Sequence, residues 1–128
     1  MASRIYFGGA EAHKIYASSD FYLMPSISEP CGISQLIAMR YGSLPIVREA
    51  GGLKDTVIPY NEYTGEGTGY SFSNINAHEL LFAIKNATNI YKNDKNSHNR
   101  LIENAMNQDI DWKMSADKYL KLYEEIRA

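Results

Sequence analysis

Between Phe21 and Thr56 the chain changes structural habit several times in quick succession, and this alternation restricts its fold more than any other feature. Phe21 to Met24 is a continuous apolar run that stops at Pro25, the pattern of a strand buried on both faces of a sheet. A short loop then presents one carboxylate, Glu29, ahead of Cys31 and Gly32. Ile33, Leu36, Ile37 and Arg40/Tyr41 recur at helical spacing, and Gly42 follows as a C-terminal stop. Leu44 to Val47 reads as a second buried strand, with Pro45 suited to its beginning, and a loop Ala50-Gly51-Gly52-Leu53 ends it.

The flanks continue the alternation. Arg4 to Phe7, bounded by Gly8-Gly9, reads as a strand, and Ala12, Ile15, Tyr16 and Ser19 mark a helix over residues 10–19. Ala50 to Thr68 is mostly loop, and Gly69 to Phe72 is a last short strand. Leu80, Ile84, Ala87 and Tyr91 predict a helix over about residues 77–92. A polar break follows from Tyr91 to Asn99, then a short helix carrying Leu101, Ile102, Ala105 and Met106. Asp111 is the expected N-cap of a final helix with Ala116, Tyr119/Leu120, Tyr123 and Ile126 on one face, and Trp112 is expected to pack it. Strands alternating with helices imply an α/β fold: a Rossmann-like parallel sheet with helices on both faces, one domain over residues 1–128.

Composition removes several function classes. The 13 basic residues are scattered and the net charge is −2, so no basic stripe for nucleic acid or anionic lipid exists. Cys31 is the only cysteine, and His13, His78 and His98 lie far apart, so no metal-ligand spacing is present. No apolar run is long enough to span a membrane and no signal peptide pattern opens the chain, from which a cytoplasmic location is expected. Asn86-Ala87-Thr88 fits a glycosylation sequon but falls inside a predicted helix.

Chemistry concentrates where strands end. Glu29 sits between a buried strand and a helix, the place where an open α/β sheet forms its ligand crevice. Cys31, Gly32, Ile33, Ser34 and Gln35 are expected to form the first helical turn, whose amides lack intrahelical partners and are available to sugar hydroxyls or phosphate oxygens. Among these side chains Ile33 is assigned to the core and Cys31 to packing. Gly51-Gly52 is either a tight turn or part of the same crevice. Gly65-Glu66-Gly67-Thr68-Gly69 is glycine-rich but lacks the strand-to-helix setting of a phosphate loop.

The run Met-Pro-Ser-Ile-Ser-Glu-Pro-Cys-Gly-Ile-Ser-Gln, followed by Ala50-Gly51-Gly52-Leu53-Lys54-Asp55-Thr56, closely resembles the donor site of bacterial glycogen synthases and their starch synthase relatives. The resemblance continues through Trp112 and covers nearly the whole chain. It implies the later part of the C-terminal domain of a GT-B glycosyltransferase. Such enzymes move glucose from ADP-glucose to the non-reducing end of an α-1,4-glucan with retention of configuration, using no metal and no cofactor. Glu29 matches the glutamate facing the donor glucose at its reacting carbon; Cys31 to Gln35 and Gly51-Gly52 match donor-binding backbone.

Two positions depart from related patterns. Ile37 stands where many related transferases place a ribose-holding glutamate, an acid that glycogen and starch synthases also lack. Ala50 stands where the family has Thr. The resemblance further implies that a basic Arg/Lys pair and an acceptor-binding N-terminal domain lie upstream, so no transferase activity is expected of this chain alone. The helix over residues 111–128 is expected to pack on that absent domain, or to drive self-association. The alternative is a non-catalytic nucleotide- or sugar-binding α/β module on the same architecture.

Overall fold

The computed structural model describes residues 3, 5 and 8–127. The strand expected at residues 4–7 lies outside the described residues except for Ile5, which belongs to no element. From there the order is α1 (Gly9–Ser18), β1 (Phe21–Met24), α2 (Ser34–Arg40), β2 (Leu44–Arg48), α3 (Gly52–Thr56), β3 (Tyr70–Phe72), α4 (Ala77–Asn93), α5 (Lys95–Met106) and α6 (Trp112–Arg127). The strands form one sheet in the order β1-β2-β3. Both pairings are parallel, with Leu23 opposite Ile46 and Ile46 opposite Tyr70. Met24, Arg48 and Phe72 therefore end on one edge of the sheet, where the following loops gather.

β2 is apolar from Leu44 to Val47 because it is covered on both sides. Leu44 and Ile46, with Tyr70 and Phe72 of β3, pack against Met39, Ala83, Ala87, Leu101 and Ala105 from α2, α4 and α5. Val47 points the other way, into a smaller cluster with Leu53, Val57 and Met24. Helices on both faces follow from this alternation. β1 corrects the expectation of full burial: Leu23 is 48% exposed. Among the described residues β1 pairs only with β2, and an edge position leaves part of a strand uncovered.

The face of α2, the break before α5 and the place of Trp112 also differ from expectation. α2 buries Gln35, Ala38 and Met39, whereas Ile33, assigned to the core, is 70% exposed. The helix begins only at Ser34, so Ile33 stands outside the helical stripe that its spacing suggested. The break between α4 and α5 is the single residue Asp94, whose carboxylate accepts the Ser97 amide at 3.0 Å and starts the new helix at once. α6 is capped as expected, with Asp111 Oδ1 accepting the Lys113 and Met114 amides at 2.9 and 3.2 Å. Its apolar face buries nothing within the described residues; Trp112, expected to pack it, is 89% exposed, which corrects that expectation.

Candidate functional site

The loop after β1 carries Glu29, and the loop after β2 carries Gly51 and Gly52; parallel pairing brings them side by side. They meet through backbone. The Gly52 amide donates to the carbonyls of Glu29 and Pro30, both at 3.2 Å. A Cβ on Gly51 would fall 2.1 Å from the Glu29 carbonyl oxygen, and one on Gly52 would fall 1.9 Å from that of Cys31. Gly51 also sits at φ 47°, in the left-handed region. The glycine pair is thus more than a turn: it is the seat on which the Glu29 loop rests.

Gln35 holds the same loop from beneath. It is fully buried, and its Nε2 donates to the Gly32 carbonyl at 2.9 Å, the Cys31 carbonyl at 3.4 Å and Thr56 Oγ1 at 3.1 Å. Thr56 Oγ1 in turn donates to the Gly52 carbonyl at 2.6 Å. One carboxamide therefore ties the turn before α2 to α3, which explains a polar side chain at zero exposure. Its Oε1 finds no partner in the structure. The Gln35 side chain is a scaffold for the loop, sealed from solvent.

Cys31 and Gly32 precede α2 rather than opening it, and Gly32 turns the chain at φ 72°. Cys31 is exposed, contrary to the packing role expected of it. The first amide bond of the helix runs from Ile37 to Ile33 at 3.0 Å, so the Ser34, Gln35 and Leu36 amides have no intrahelical acceptor. Ser34 Oγ contacts Met24 Sδ at 3.3 Å, at the end of β1. Glu29 itself is half-buried and lies beside this turn. Asp55 is an exposed α3 residue.

Arg48 was not singled out by sequence reasoning, yet it completes the frame. From the end of β2 its Nε donates to the Ser26 carbonyl at 2.8 Å, its Nη2 to the Ile27 carbonyl and its Nη1 to the Ser73 carbonyl at 3.4 Å. The Glu29 loop is held by Arg48 on the Ser26 side and by Gly52 on the Pro30 side. Next to it the Glu49 carboxylate accepts the Ser71 and Ser73 hydroxyls at 2.7 and 3.0 Å, fastening the third loop. The available signal was an Arg-Glu pair closing an otherwise apolar strand. No group of three or more metal-binding side chains occurs among the described residues, and no described helix is long and apolar enough to cross a membrane.

Known proteins match this chain closely. The family described as "Glycosyl transferases group 1" matches residues 4–108. The chain is 57% identical over 126 residues to a glycogen synthase of Clostridioides difficile, covering 98% of this chain and 26% of that protein. A glycogen synthase of Caldicellulosiruptor bescii is 58% identical with the same coverage. Among solved structures, the catalytic domain of Starch Synthase IV from Arabidopsis thaliana bound to ADP and acarbose superposes with a TM-score of 0.86 at 40% identity, over 94% of this chain and 25% of that one. The chain thus spans about a quarter of the length of the relatives it matches.

Proposed function

The chain belongs to the glycosyl transferases group 1 family and corresponds to the C-terminal part of a glycogen synthase; from that premise we propose that it is the donor-site portion of a retaining glucosyltransferase. The reaction proposed is elongation of an α-1,4-glucan from ADP-glucose, with the remaining three quarters of the protein required for turnover. The observation that carries this reading is the junction of the Glu29 loop and the Gly51-Gly52 loop at the ends of adjacent parallel strands. The ADP present in the Arabidopsis starch synthase structure favours an adenine nucleotide as leaving group.

In this mechanism the Glu29 carboxylate positions the donor glucose and stabilises the positive charge that develops on its ring. The segment Cys31, Gly32, Ile33, Ser34 and Gln35 contributes backbone donors to the departing diphosphate, with Gly51 beside it. Gly52 shapes the site instead of contacting the ligand, because its amide is already engaged by Glu29 and Pro30. Fixed amides aimed at a leaving anion need no reorganisation as charge moves, which is how they lower a barrier.

The test is a chimera in which this chain replaces its counterpart in the C. difficile glycogen synthase. Elongation of maltooligosaccharides from ADP-glucose is expected to survive the exchange. Glu29→Ala in the chimera is expected to lower kcat by about a hundredfold or more. An inactive but folded chimera would favour a non-catalytic binding module; full activity with Glu29→Ala would remove Glu29 from the chemistry; a preference for UDP-glucose would overturn the donor.

A further inference from the structure

Glu29 lies in a stretch, residues 25–33, that belongs to no helix or strand and contains no buried residue. Ile27 is 72% and Ile33 70% exposed, so hydrophobic burial does not hold this loop. Hydrogen bonds to its carbonyls do. Gln35 Nε2 takes those of Cys31 and Gly32, and the Gly52 amide takes those of Glu29 and Pro30. On the amino side of Glu29, the carbonyls of Ser26 and Ile27 both accept from one guanidinium, that of Arg48. Among the described residues Arg48 is therefore the anchor placed before Glu29, and the other two grip at or after it.

The position of Arg48 suits it to this task. It closes the central strand, opposite Phe72 of β3, and its half-buried side chain reaches across to the loop after β1. Nε meets the Ser26 carbonyl at 2.8 Å and Nη2 meets the Ile27 carbonyl, so one edge of a rigid plane takes two neighbouring acceptors. The remaining nitrogen, Nη1, reaches the Ser73 carbonyl at 3.4 Å. Ser73 is itself fixed: its amide donates to Glu79 Oε2 at 3.1 Å and its hydroxyl to Glu49 Oε2 at 3.0 Å. The guanidinium is thus braced on the turn after β3 while it grips the loop after β1. A peptide unit is planar and trans, so its N–H points opposite to its C=O. Holding the Ser26 and Ile27 carbonyls toward Arg48 turns the Ile27 and Ser28 amides away from it, and neither amide donates to a backbone acceptor among the described residues. Arg48 and Gly52 grip the chain on either side of the Ser28–Glu29 peptide, so the backbone that carries the carboxylate has little freedom to swing.

We infer that Arg48 is a positioning residue for the reaction: by holding the Ser26 and Ile27 carbonyls it sets the Glu29 carboxylate against the donor sugar. This rests on the role proposed for Glu29 above. An exposed loop held only at its far end would have to be ordered each time substrate binds, and the second grip removes that cost. Placement matters at this scale, because a shift of about 1 Å at a reacting group can cost up to about a hundredfold in rate.

Two measurements test it. In the chain alone, backbone NMR relaxation should show lower order parameters at Ile27, Ser28 and Glu29 in Arg48→Ala, with Gly32, held by Gln35, unchanged. In the C. difficile chimera, Arg48→Ala should lower kcat by about tenfold while KM for maltooligosaccharides stays the same. That loss should vanish in a Glu29→Ala background, because an anchor that acts through Glu29 then has nothing left to position. Asn104→Ala removes a comparable side-chain bond, to the Gly67 carbonyl at 3.1 Å, and should leave kcat unchanged. Order parameters unaffected by Arg48→Ala, or equal kcat losses with and without Glu29, overturn the inference. Should Arg48→Ala fail to fold, Arg48→Lys takes its place in both measurements. An ammonium lacks the planar fork, so the same residues should loosen and kcat should fall by a smaller factor, and unchanged values of both overturn the inference. An inactive chimera overturns the proposed reaction, and the relaxation measurement then decides the part of Arg48. An active chimera indifferent to Arg48→Ala overturns the inference and leaves the reaction standing.

Discussion

β2 with its neighbouring loops and α6 are both amphipathic or apolar in sequence, and they end in opposite circumstances. Around β2 every contact is closed within the chain: strands on both sides, helices on both faces, Arg48 and the glycine pair fastening the loops. α6 has a sound N-cap and an apolar stripe, yet no buried residue, with Leu120 59% and Ile126 73% exposed. Patterning states that a surface must be covered. It does not state by what.

The contrast can be broken most directly at Gly52. Gly52→Ala forces a Cβ to within 1.9 Å of the Cys31 carbonyl, where only backbone could yield. A loss of about 3 kcal/mol or more is expected, read as a fall in the denaturant midpoint. A near-neutral result would mean that the two loops are not seated as described.

Paired leucines sharpen the comparison. Leu101 on α5 is fully buried in the main cluster, so Leu101→Ala should cost about 2–5 kcal/mol. Leu120→Ala on α6 should change stability by less than about 0.5 kcal/mol in this chain. If Leu120→Ala proves as costly as Leu101→Ala, α6 is covered in solution, and light scattering would show whether a second copy covers it.

A smaller effect separates the regions by pH. Burial holds the His98 imidazole below its usual pKa; Lys95 adds to this and Asp20 opposes it. The folded state therefore favours neutral His98. Its contribution is fully present above the unfolded pKa of about 6.5 and is lost as pH falls from there through the folded value. Urea midpoints should decline over that window, and His98→Leu should flatten the decline; an unchanged slope would place His98 in solvent. The smallest change concerns a cap: Asp111→Ala should cost about 1 kcal/mol or less and appear as fraying of α6 by circular dichroism, with the β2 core unaffected.

Much of this architecture was legible beforehand because it depends on local pattern. The strands at Phe21–Met24 and Leu44 to Val47, the helices α2, α4 and α6, and the cap at Asp111 each need only neighbours in sequence, whereas α3 lies within a stretch expected to be mostly loop. The site was legible in part: Glu29 and the Gly51-Gly52 pair stood out by position. Arg48 and Glu49 did not, nor did the burial of the Gln35 side chain, because the partners involved include carbonyls and hydroxyls some distance along the chain, and any residue type can supply a carbonyl.

The sequence by itself determined an α/β chain with parallel strands and loops collected at one edge, since periods of two and of 3.6 residues and short connections admit little else. Only the tertiary structure decided that Ile33 and Trp112 face solvent while Gln35 is sealed inside, and that Gly51 and Gly52 are glycines because another loop occupies the space of their side chains. Burial and close approach are properties of two segments at once. One segment's composition can require a partner, but the partner's backbone sets the distance.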